Sequence, residues 1–152
     1  MEFYIFPRLP SLIVKWADTL RGNVDFYQEN HANPFYELIM VIEGPIYLQV
    51  GEERLQLKSG ETFLLKPWEQ HSGWRKIADE ASFFWVQFIS EPVPNESDTW
   101  TRRDNDLNII HPMRNELRTE PFQHEEPILL PRRFRPQRRY KILSLFENLM
   151  YE

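Results

Sequence analysis

The chain contains no cysteine, so it can hold no disulfide, thiolate nucleophile or sulfur-bound zinc, and a reducing compartment, the cytoplasm, is the expected setting. It also lacks any run of about 18 apolar residues that could cross a bilayer as a helix. Its start, MEFYIFPRLPSLIVKW, has neither the basic lead nor the small-residue cleavage site of a secretory signal. Positive charge is in deficit, with 18 Lys and Arg against 23 Asp and Glu and a net charge of −5, which argues against a direct grip on a phosphate backbone. With no glycine-rich phosphate loop and no serine elbow, nucleotide-binding and hydrolase readings have no local support. Glycine is scarce, at 5 of 152 residues, and Gly44, Gly51 and Gly60 all fall in one stretch.

That stretch, His31 to His71, organises the chain. It reads as extended segments at 35–43, 45–50, 53–57 and 61–66, rich in β-branched, aromatic and aliphatic residues and bounded by those glycines. Around it, 152 residues suffice for one core and one domain. Aromatics make up 14% of the chain and include five Trp, a surplus that can pack the core or line a pocket.

In chain order, Phe3 to Phe6 precede Pro7 and Pro10 in an extended arm, read either as an edge strand covering the core or as a lid over a pocket. Short strands are expected at 11–17 and 24–27, parted by a turn at Arg21 to Asn23. The strand at 35–43 is apolar on both faces, so both faces should be covered. Glu37 among those apolar neighbours must be paired, bound to a ligand or near a barrel mouth. The segment at 81–89, ASFFWVQFI, sets Phe83, Trp85 and Gln87 on one face and Phe84, Val86 and Phe88 on the other. Gln87 is either a polar handle among aromatics or the wet end of a strand.

Residues 91–127 lose regularity and read as loop, with a short apolar run at Leu107 to Ile110 and two solvated histidines, His111 and His124. A last strand is expected at 128–130. From about Gln137 to Tyr151, apolar residues at steps of three and four mark an amphipathic helix without a stop signal, which reads as a chain cut near a linking element. Its stripe could pack on its own barrel or pair with a second subunit. The basic run Arg132 to Lys141 reads as a solvated linker and helix start, with contact to DNA or an acidic partner as the other reading.

The spacing of His31, Asn33, Glu37 and Gly44, and then of Gly60 and His71, resembles the two motifs of the cupin superfamily. More narrowly, YELIMVIEG, SGETFLLKPWEQH and FFWVQF resemble the N-terminal sensor domain of AraC-type transcriptional regulators. The chain departs from the cupin pattern where Asn33 replaces a histidine and where Lys66 and Trp68 replace the usual proline and glycine. The resemblance implies a mainly β fold, a cupin-like jelly-roll barrel with an N-terminal arm and a C-terminal helix. It implies a barrel with its arm over 1–131 and a basic linker with the start of a dimerisation helix over 132–152.

It further implies a ligand-sensing, dimerising domain and no enzyme. A small polar effector would enter the barrel beside His31, Glu37, His71, Trp74, Phe83, Trp85 and Gln87, and aromatic faces such as Trp85 with Glu37, Gln87 and His71 beside them make a sugar the expected class. Tyr140, Leu143, Phe146 and Leu149 would pair two subunits as a homodimer. DNA would be reached only through a C-terminal helix-turn-helix domain that these residues do not contain, and neither a cofactor nor a membrane is expected. The alternative is a metal-dependent cupin enzyme using His31, Glu37 and His71 as two imidazoles and a carboxylate. Asn33 is a poor ligand for a transition metal, which weighs toward sensing.

Overall fold

Antiparallel pairing dominates the computed structural model, which describes residues 2–6, 10–22, 28–97 and 128–151. Over these the chain forms β1 (Phe3–Phe6), β2 (Ser11–Arg21), β3 (Tyr36–Glu43), β4 (Ile46–Val50), β5 (Glu53–Leu57), β6 (Thr62–Leu65), β7 (His71–Gly73), β8 (Ser82–Glu91), β9 (Asn95–Ser97), β10 (Ile128–Pro131), β11 (Arg133–Phe134) and α1 (Arg139–Tyr151). The strands expected from the central stretch and from 81–89 are β3 to β6 and β8, and the last expected strand is β10. β2 runs past the expected Ala17 because Leu20 still points into the core, and the chain turns at Gly22 with φ of 74°. The expected strand at 24–27, the run Leu107 to Ile110, and His111 and His124 lie outside the described residues.

A five-stranded sheet, in the order β11-β6-β3-β8-β2, faces a three-stranded sheet, β5-β4-β7. Their inner faces enclose the main core, in which Ile39, Val41, Phe63, Leu65 and Phe83 meet Ile46, Leu48, Leu55 and Leu57. Each such side chain contributes about 1.5–3 kcal/mol on burial. The register is what places the site: Glu37 on β3 lies opposite Gln87 on β8, so the two side chains share the inner face. Gly44 turns the chain between β3 and β4 where an added Cβ would lie 3.0 Å from both the Ser59 nitrogen and a Val41 methyl, so the close approach there leaves no room for a side chain.

The outer face of β3 and β8 is also covered, which is why these strands carry apolar residues on both sides. β1 lays Tyr4 and Phe6 on Tyr36, Leu64 and Phe88. The arm is neither an edge strand nor a lid over the inner cavity: β1 is the middle strand of a sheet ordered β10-β1-β9 and packs on the face opposite Glu37. α1 covers the rest of this face, with Phe146 stacked on Phe84 at 5.5 Å and packed beside Met40 and Val86.

The basic run is not a solvated linker over its first half. β11 joins the large sheet through Arg133 and Phe134, and Arg132 is held by Glu2 and Glu69, while Arg133 pairs with Glu61 at 2.9 Å. Acidic side chains from three separated segments neutralise it, a pairing that local sequence does not reveal.

Candidate functional site

The inner faces do not fill completely at the end where β3, β7 and β8 meet. A cavity of about 270 Å³ remains there, about the liquid volume of nine waters. Its apolar wall comes from Leu20, Ile39, Leu48, Phe83 and Trp85, and its polar side from Glu29, His31, Glu37, His71, Ser72 and Gln87. Six of the seven residues expected at the site therefore line one cavity. Trp74 does not: its indole nitrogen donates to the Leu55 carbonyl at 3.1 Å, and its ring meets Tyr47 edge-on on the outside of the small sheet. Period-two alternation could have found Ile39 and Leu48, whereas Glu29 lies in a stretch with no pattern to point to it.

Glu37 is buried, 6% exposed, and its Oε2 accepts from both Asn33 Nδ2 at 2.8 Å and Gln87 Nε2 at 2.9 Å. Of the sequence readings for this carboxylate, pairing is therefore realised, and Gln87 is a polar group inside the cavity. Asn33, which stands where the cupin pattern has a histidine, is a brace. Its amide donates to Glu37 while its Oδ1 accepts from the Phe35 nitrogen at 3.0 Å.

His31 and His71 are joined by two backbone hydrogen bonds of 3.0 and 2.9 Å, and their rings lie 4.2 Å apart. Each ring places Nδ1 at 2.8 Å from a backbone carbonyl two residues earlier, Glu29 for His31 and Glu69 for His71. A carbonyl can only accept, so Nδ1 carries the proton and Nε2 of the neutral ring is an acceptor. His71 is 4% exposed, and its Nε2 has no hydrogen-bond partner among the described residues. Burial pushes the His71 imidazole below the ordinary histidine value, and nearby His31 adds to this. The Glu69 carbonyl and the Glu37 carboxylate oppose the shift without reversing it.

His31, Glu37 and His71 share the cavity wall, yet among the described residues no three His, Asp or Glu side chains are gathered so as to hold a metal ion. The arrangement presents acceptors and aromatic faces to whatever enters it.

The segment from Lys66 to His71 connects this cavity to the arm and the C-terminal strands. Trp68 N donates to the Asn33 carbonyl at 2.7 Å, while Glu69 offers its carbonyl to His71 and its carboxylate to Arg132. Lys66 pairs with Glu2 at 2.8 Å and Glu96 at 2.6 Å. Lys66 and Arg132 thus meet on Glu2, and between them bind β1, β9 and the β10–β11 junction to this segment.

Comparison with known proteins gives one family match: the family model described as AraC-like ligand binding domain matches residues 19–124. No curated protein matches the chain. Among solved structures, a conserved SPY1581 protein of unknown function from Streptococcus pyogenes is similar over 53% of this chain and 72% of that one, at 14% identity and a TM-score of 0.38.

Proposed function

The chain belongs to the AraC-like ligand-binding domain family, and from that premise we propose that the cavity beside Glu37 and His71 is the effector site of a transcriptional regulator. The fold is cupin-like and mainly β, with a C-terminal helix, and the domain is a ligand-sensing, regulatory one. The observation that carries the proposal is the convergence of six residues from β3, β7, β8 and the His31 segment on one cavity of about 270 Å³. That size suits a small molecule and lies near the lower end for ligand pockets.

A sugar-like effector is our reading of the ligand. It is supported by the Trp85 and Phe83 rings on one side of the cavity and hydrogen-bonding groups on the other, a combination that fits a ring with apolar faces and hydroxyl edges. Binding needs no chemistry on the ligand. It would favour one position of the Lys66–His71 segment and so bias the arm and the β10–β11 junction that leads into α1. The output would be a helix-turn-helix domain outside these 152 residues, in a cytoplasmic homodimer. Exposed Leu145 and Leu149, one turn apart on the same face of α1, support the pairing surface. Among the described residues no helix is long and apolar enough to cross a membrane.

The test is a thermal-shift and tryptophan-fluorescence screen with monosaccharides and other small polar compounds. At least one compound is expected to raise the melting temperature and change Trp85 emission, with both effects lost in His71→Gln. A compound that binds equally well to His71→Gln would place the effector elsewhere.

A further inference from the structure

We propose that the cavity takes an organic cation, a compact molecule whose protonated amino group sits between Glu37 Oε1 and His71 Nε2 while its carbon body rests on Trp85 and Phe83. The inference rests on the effector reading above and narrows its sugar-like body to one that carries a cationic amino group, as an amino sugar does. It follows from the hydrogen-bonding sense of each polar atom at the cavity. Glu37 Oε2 already accepts from Asn33 and Gln87, and Oε1 has no donor among the described residues. Gln87 gives an amide hydrogen to Glu37, which leaves its carbonyl oxygen as an acceptor. Both histidines commit Nδ1–H to backbone carbonyls, so each Nε2 is an acceptor as well. The Nε2 of His71 is buried and unpartnered among the described residues, a desolvation cost that a ligand donor would remove.

The charge balance points the same way. The described residues lining the cavity include two carboxylates, Glu29 and Glu37, and neither Lys nor Arg. Asp18, the cross-strand partner of Trp85, adds a third carboxylate on the same face. The nearby cations are already engaged, Lys66 with Glu2 and Glu96, and Arg132 with Glu2 and Glu69. An anionic effector would enter against these carboxylates with no cation among the described lining residues to receive it. A neutral polyol brings as many acceptors as donors, and among the described side chains lining the cavity the donors for those acceptors are few: the Ser72 hydroxyl, the remaining Gln87 amide hydrogen and the Trp85 indole N–H. An ammonium group brings three donors and no acceptor, which matches the cavity.

The experiment is calorimetry on the wild-type domain with matched sets that share one body and differ in one group. Glucosamine, glucose and glucuronate form one set; cyclohexylamine, cyclohexanol and cyclohexanecarboxylate form the other. In at least one set the amine is expected to bind about tenfold or more tighter than the alcohol, as one charge-assisted hydrogen bond implies. The acid should give no measurable heat. Binding of the amine should weaken as salt is raised, and Glu37→Gln should reduce the amine's advantage over the alcohol. An alcohol or acid that binds as tightly as its amine overturns the cation assignment while leaving the effector site in place. Failure of every member of both sets, together with failure of the broader screen, would overturn both.

Discussion

Trp68 occupies the turn position where the cupin pattern has glycine, and it adopts the left-handed backbone that glycine favours, with φ of 64° and its side chain exposed. A non-glycine residue in this region costs about 1–2 kcal/mol, against which glycine loses about 0.5–1 kcal/mol of chain entropy. Trp68→Gly should therefore leave the domain as stable or roughly 0.5 kcal/mol more so, and Trp68→Val should destabilise it by about 1–2 kcal/mol, as chemical denaturation would show. His71 supplies the pH dependence. Its folded pKa lies below the unfolded value of about 6.5, so its contribution is complete above that pH and is lost as pH falls toward the folded value. Stability of the wild type should fall on acidification from about pH 6.5 more steeply than that of His71→Gln. At this scale the sequence was informative about Glu37, because a carboxylate between apolar neighbours demands an explanation. It misplaced Trp74, since a residue's face depends on register and the three-residue strand β7 is too short to display one.

The central strands were legible as elements because composition and glycine punctuation coincide there, and their coverage on both faces followed from their apolar residues. β9 and β11 were not. Three and two residues long, they exist because β1 and β6 offer open edges to pair with, which is tertiary information. The helix was legible as a helix, but its apolar residues do not all face the barrel. Phe146 is 5% exposed and, with the half-buried Leu143, packs on the barrel, whereas Tyr140 and Leu149 are 72% and 42% exposed. Phe146→Ala should cost about 3 kcal/mol of stability by removing the Phe84 stack, measured by urea unfolding. The ion network at Glu2 has its own signature. Burial pushes the Glu2 carboxyl up, but Lys66 and Arg132 together hold it below the ordinary carboxylate value. Its stabilising effect is thus present at neutral pH and is lost as acid protonates it. With Arg132 15% exposed, Arg132→Ala should destabilise by about 2–3 kcal/mol near neutrality and by less in acid.

The whole molecule joins an acceptor-rich cavity, a segment that ties it to the arm and the C-terminal strands, and a helix with Leu145 and Leu149 exposed on one face. If that face pairs two subunits, Leu145→Glu with Leu149→Glu should shift light scattering from dimer to monomer with little change in melting temperature. A wild-type monomer at high concentration would contradict the pairing. The central claim, that the cavity is where effector binds, is tested most directly by titrating the most stabilising compound from the screen into two tryptophan variants. Trp85 lines the cavity and Trp74 lies outside it. The account predicts that Trp85→Leu weakens binding by about tenfold or more while Trp74→Phe leaves the affinity unchanged. Equal affinity in both variants, or a loss confined to Trp74→Phe, would contradict it.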